Sequence, residues 1–138
     1  MMTGRWLLLL GSNLADDARV RAALQQLAEI GGITVLTPIL RFPSDDDSAG
    51  DYFNVLAEFA FEGDRLLLMN RLKRLEAALG RRHDGDGCVA IDIDVLAAHD
   101  GQCWRADAHA QAKGEFRRTP VRSLLQLGGR QVAESSGE

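Results

Sequence analysis

The stretch CVAIDIDVLAAHD, Cys88 to Asp100, alternates apolar and acidic residues without a break from Ile91 to Val95. An extended chain sends successive side chains to opposite faces. Ile91, Ile93 and Val95 therefore form one face of a strand over 89–97, and Asp92 and Asp94 the other. Asp is depleted in strands, so two on one face of one short strand ask for a reason.

Working outward, the segment before this strand predicts a helix. Asp64 is its cap, Leu68, Leu72, Leu75 and Leu79 form its apolar stripe, and Gly80 is the stop signal. Residues 80–87, GRRHDGDG, read as the loop that joins helix to strand. Further upstream, Tyr52 to Phe61 is a second strand with Phe53, Val55, Ala57, Phe59 and Phe61 on one face and Tyr52, Asn54 and Glu58 on the other. PSDDDSAGD, residues 43–51, is a loop whose acids Asp45, Asp46 and Asp47 read as solvated charges, with a metal site as the alternative. Ile33 to Phe42 reads as a strand in which Pro38 marks a bulge or an edge. Before it, Asp16 or Asp17 caps a helix to about Ile30 with the stripe Val20, Leu24, Leu27 and Ile30, stopped by Gly31-Gly32. Arg5 to Leu10 is the first strand, and Gly11-Ser12-Asn13 is turn chemistry.

The order is βαββαβ, which predicts an α+β, ferredoxin-like sandwich: a mainly antiparallel sheet with helices packed on one face. The opposite face then carries Tyr52, Asn54, Asp92 and Asp94 together. Beyond Gly101 the pattern weakens: 102–120 reads as loop, Val121 to Leu127 as a short helix, and 128–138 as a disordered tail. Residues 1–127 thus read as one domain.

Composition narrows the function. The chain has 138 residues, enough for one real core, and 46 % of them are hydrophobic. Its net charge of −4, from 16 basic and 20 acidic residues, argues against nucleic acid or an anionic membrane as partner. Cys88 and Cys103 have no CxxC spacing and read as reduced thiols of a cytoplasmic protein. The apolar run Trp6 to Leu10 is too short for a membrane span. No glycine-rich phosphate loop, zinc-ligand spacing or nucleophile elbow occurs.

The paired aspartates admit two readings. They can be a solvated outer face, or a hard-cation site, because Mg²⁺ takes one or two carboxylates with phosphate oxygens and water. Arg81 and Arg82 just upstream favour the second, since phosphoryl or pyrophosphoryl transfer needs charge neutralisation and positioning. Glu76, near the helix end, reads as a solvated acid or one that holds a ligand.

LLGSNL at 9–14, DYFN at 51–54, RLEAALGR at 74–81 and IDIDVL at 91–96, in this order and spacing, resemble the 6-hydroxymethyl-7,8-dihydropterin pyrophosphokinase family of folate biosynthesis. The resemblance runs from about Leu7 to Pro120. It implies an ATP- and Mg²⁺-dependent diphosphotransferase, with two Mg²⁺ between ATP and the carboxylates of Asp92 and Asp94. It further implies that Asn54 hydrogen-bonds the pterin and that Tyr52 and Phe116 flank it. Glu76 and His109 match nucleotide contacts, and Arg81, with Arg82 beside it, matches the catalytic loop. A monomer acting on two small molecules is expected.

Two departures stand out. Where the family carries Arg-Trp-Gly-Pro-Arg before the aspartates, this chain has HDGDGCVA, and Glu115 stands where an arginine is usual. Each lost charge-assisted contact in a transition state costs about 10²–10³ in rate. A binding module that keeps the pocket without the chemistry, or a ferredoxin-like interaction domain, therefore remains as an alternative.

Overall fold

The structure, a computed structural model, describes residues 3–43, 50–80 and 89–135. Its elements are β1 (Thr3–Ser12), α1 (Ala18–Ile30), β2 (Gly32–Val35), β3 (Leu40–Phe42), β4 (Tyr52–Glu62) and α2 (Arg65–Ala78). They continue with β5 (Asp92–His99), β6 (Trp104–Ala106), α3 (Ala108–Ala112), a 3₁₀ turn (Glu115–Arg117), α4 (Thr119–Leu127) and β7 (Val132–Ala133). Arg81, Arg82, the acidic triplet 45–47 and Cys88 lie outside the described residues.

The fold is α+β. Strand order is β2-β4-β1-β5-β6-β7, with β3 also paired to β4. Pairing is antiparallel except between β6 and β7. Strands β1, β2, β4 and β5, taken with α1 and α2, keep the βαββαβ frame read from the pattern. Asp64 caps α2 through its side chain, accepting from Leu67 N at 2.9 Å. The stripes of α1 and α2 bury against Leu8, Leu10, Val55, Ala57, Phe59, Ile91, Ile93 and Val95.

Three expectations are corrected. First, the sheet is covered on both faces. Leu7, Leu9, Leu56, Leu96 and Trp104 form a second apolar cluster with Ala110 of α3 and Val121 and Leu124 of α4. Leu7 to Leu10 are all buried because a strand covered on both sides has no polar face. Second, Ile33 to Phe42 is two strands. Pro38 has no N–H for a ladder, and at the break Thr37 Oγ1 accepts from Leu56 N at 3.1 Å in place of a backbone carbonyl. Third, the chain beyond Gly101 carries structure: β6, α3 and the 3₁₀ turn fall within 102–120, which read as loop, while in 128–135 β7 pairs with β6 and Arg130 bonds Glu58 on β4 at 3.2 Å. Among the described residues no helix is long and apolar enough to cross a membrane.

Candidate active site

The site is built on β1, β4 and β5 at one end of the sheet. Gly11 on β1 pairs with Asn54 of β4 on one side and Asp92 of β5 on the other. Side chains in such a row share a face, so Asn54 and Asp92 flank Gly11 on the face opposite α1 and α2. Neighbouring strands lie about 4.8 Å apart, which puts the two backbones about 10 Å from each other. Gly11 is needed here for space: a Cβ would meet Asn54 Nδ2 at 2.6 Å. Asn54 is buried, and its amide donates to Leu10 O at 3.3 Å. Its orientation is thus held over the central strand.

The acid pair is fixed by backbone contacts on both sides. Gly11-Ser12-Asn13 anchors the approach to β5, with Asn13 Oδ1 accepting from Val89 N at 2.6 Å and Asn13 N donating to Val89 O at 3.1 Å. Asp94 pairs with Leu9 and Asp92 with Gly11. Ile93 points to the opposite face, and its backbone N–H donates to Glu76 Oε2 of α2 at 2.7 Å. β6 pairs only with the far half of β5, Ala97 to His99, so the Glu76 carboxylate takes over where that ladder is absent. Glu76 is itself only 4 % exposed.

Glu76, Asp92, Asp94, His109, Lys113 and Glu115 line one cleft of about 230 Å³, together with Arg65, Lys73 and Asp107 at its sides. Four of the candidate site residues therefore meet, Glu76, Asp92, Asp94 and His109, and Glu115 joins them. Tyr52, Asn54 and Phe116 lie outside this lining, along the same face. Tyr52 pairs with Phe42 and Asn54 with Leu40, and Phe42, Leu40 and Phe116 all pack on the second apolar cluster. Arg81 and Arg82 belong to the segment outside the described residues.

The cleft is electrostatically loaded. Burial first, then the charge of Asp92, pushes the Asp94 carboxyl up to about 7; Glu115 and Glu76 add to the rise and Lys113 opposes it. Glu115 is buried and accepts from Arg118 Nη1 at 3.4 Å. Among the described residues no group of three or more His, Cys, Asp or Glu side chains is arranged to hold a metal. Two carboxylates on alternate positions of a rigid strand fit Mg²⁺, which completes its shell with phosphate oxygens and water. A divalent ion there would offset the Asp92 repulsion that adds to the rise at Asp94.

Gly11, Lys113, Arg65 and Asp107 are additions that the sequence reading missed. Gly11 had a usable signal, a glycine closing an all-leucine strand, which marks close approach of another group. Lys113 and the Arg65–Asp107 pair had none, because they meet the cleft only through the packing of α3.

Comparison with curated proteins finds no match. A family model, described as 7,8-dihydro-6-hydroxymethylpterin-pyrophosphokinase (HPPK), matches residues 7–127, from the central strand through the end of α4. With so much of its length matched, and with the acid pair and Asn54 on one face of the sheet, the chain belongs to the HPPK family.

Proposed function

We propose that the protein transfers pyrophosphate from ATP to the hydroxymethyl group of 6-hydroxymethyl-7,8-dihydropterin, a step of folate synthesis. The observation that carries this reading is the row Asn54, Gly11, Asp92 across three adjacent strands. It sets an amide suited to a flat heterocycle beside carboxylates suited to a metal–polyphosphate. The spacing of about 10 Å leaves room for a pterin whose side arm reaches the phosphates.

In the reaction the pterin hydroxyl oxygen forms a bond to the β-phosphorus of ATP. The bond from that phosphorus to the oxygen bridging the α-phosphate breaks, AMP leaves, and the hydroxyl proton passes to solvent. Asp92 and Asp94 would hold Mg²⁺, which when bound neutralises phosphate charge. Asn54 sets the pterin by paired hydrogen bonds, and Tyr52 and Phe116 offer aromatic surface to its ring. His109 and Lys113 line the same cleft as the acid pair and suit the phosphates. Glu76 acts on the site through the backbone of Ile93. Arg81 and Arg82, which precede β5 in the sequence, would supply further positive charge. The protein works on this reading as a cytoplasmic monomer on two small molecules, with neither nucleic acid nor membrane as partner.

A second reading, a pterin- or nucleotide-binding module without turnover, is favoured by Glu115. Its buried carboxylate adds to the negative field on Asp94, and it engages Arg118 rather than leaving that cation to a phosphate. Incubation with ATP, Mg²⁺ and the hydroxymethyl pterin, with AMP followed over time, separates the two. AMP release that disappears in Asp94→Ala supports the enzyme. Ligand binding without AMP supports the module, and neither binding nor AMP rejects both.

A further inference from the structure

We infer that Arg65 and Asp107 form a positioning clamp that holds α3, and with it His109 and Lys113, against the acid pair. The inference rests on the pyrophosphokinase reading for the identity of the nucleotide. Its argument begins with the weakness of α3 itself. A helix of five residues does not hold together on its own, and Ala110 is the buried residue of α3. What fixes its place must come from outside.

Side chains grip it at both ends. At the start, Arg65 at the first turn of α2 donates to both carboxylate oxygens of Asp107, Nε to Oδ1 at 2.6 Å and Nη2 to Oδ2 at 3.0 Å. A fork of this kind fixes orientation as well as distance. The Asp107 side chain is 7 % exposed, and the pair raises the Arg65 pKa above its already high value. Asp107 also caps α3, with Oδ2 accepting from Ala110 N at 3.3 Å, and its own N–H donates to Leu96 O of β5 at 2.8 Å. One residue thus ties α2, α3 and the strand of the acids together. At the far end, the Gln111 amide bonds both backbone groups of Ser135, at 2.9 and 2.8 Å. Arg65 and Asp107 sit in the wall of the same cleft as His109 and Lys113. Their charges are spent on each other, so their effect on a nucleotide passes through α3.

The test compares Arg65→Gln, Arg65→Lys and Asp107→Asn with the unaltered protein. Asn is as good a cap as Asp, so Asp107→Asn removes the ionic fork and leaves the cap. Amide exchange across 108–113 is measured in the free protein, and affinity is measured for α,β-methylene ATP with Mg²⁺. Exchange about tenfold faster in this segment is expected for Arg65→Gln and Asp107→Asn, with β1 and β4 unchanged. Nucleotide affinity about tenfold weaker is expected in the same two variants, at a melting temperature close to that of the unaltered protein, with Arg65→Lys recovering part of the loss. Unchanged exchange overturns the clamp. So does faster exchange with undiminished affinity, which would leave the pair a purely structural tie. If the unaltered protein binds the analogue but makes no AMP, the enzymatic reading fails while the affinity ratio still decides the clamp. If it does not bind the analogue at all, both fail.

Discussion

Glu76 of α2 accepts a hydrogen bond at 2.7 Å from the backbone N–H of Ile93, the residue between the two acids of β5. A buried carboxylate from a neighbouring helix completes a strand edge that no other strand pairs among the described residues. Removing it leaves a buried donor without this acceptor, at a cost of about 1.5–3 kcal/mol for a bond to a charged group. Glu76→Ala should lose that much stability in urea denaturation and also weaken metal–nucleotide binding, because the acids lose their support. Glu76→Gln keeps an acceptor oxygen and should lose less. Equal stability of Glu76→Ala and the unaltered protein would contradict the role given to this bond.

Asp94 carries the pH dependence. Burial and the Asp92 charge raise its carboxyl from 3.8 to about 7. Between those values the folded protein binds a proton that the unfolded chain does not, so stability falls as pH rises through the window. Without metal, Asp94→Asn should therefore melt higher than the unaltered protein at about pH 8 and lose that advantage near pH 4. Binding of Mg²⁺ with α,β-methylene ATP requires the carboxylate and should tighten about tenfold from pH 6 to pH 8. Calorimetric titration reads this directly, and an affinity that weakens with pH would remove Asp94 from the metal site.

Gly11→Ala tests the wall between the two halves of the site. The added methyl would meet Asn54 Nδ2 at 2.6 Å and must displace the amide. Overpacking of this kind costs about 1–3 kcal/mol. Pterin affinity, read by ligand fluorescence, should drop at least as far as in Asn54→Ala. The double variant should regain stability without regaining pterin. Normal pterin binding by Gly11→Ala would show that Asn54 does not act from this position.

Glu58 joins the final segment to the sheet. One carboxylate oxygen takes Arg5 at 2.6 Å and the other Arg130 at 3.2 Å. Partial burial alone would raise its pKa; hydrogen bonds from the two arginines outweigh that and leave it below 4.5. A depressed carboxyl contributes stability above its ordinary value, and the contribution is lost as pH falls through the folded pKa. Arg130→Ala should cost about 1 kcal/mol or less at neutral pH, and the difference should shrink below about pH 4. A gap that persists in acid would mean that Arg130 acts through packing instead.

The frame was legible because its signals are local. The stripes of α1 and α2, the cap Asp64 and the alternation at 52–61 and 91–95 each state a period and a boundary. The acid pair and Asn54 were legible as face-mates for the same reason. The second layer was not, although Leu7-Leu8-Leu9-Leu10 and Leu56 on the supposedly polar face pointed to it. β6, α3 and β7 are three, five and two residues long, too short to carry a period. Lys113 and Asp107 reach the cleft only by docking of those short pieces, so no local pattern announces them.

The pairing of β1 with β5 shifts register between Leu7 and Leu8, where Leu96 is the extra residue. Leu96 and Ala97, neighbours in the chain, therefore both enter the second apolar cluster. The strand is in effect two independently phased halves. The half bearing Asp92 and Asp94 takes its phase from Leu9 to Gly11, and the half leading to the turn at Asp100 takes its phase from Trp6 and Leu7. The facing of the two acids is therefore set by the register of Leu9 to Gly11 and not by that of the outer half of the strand.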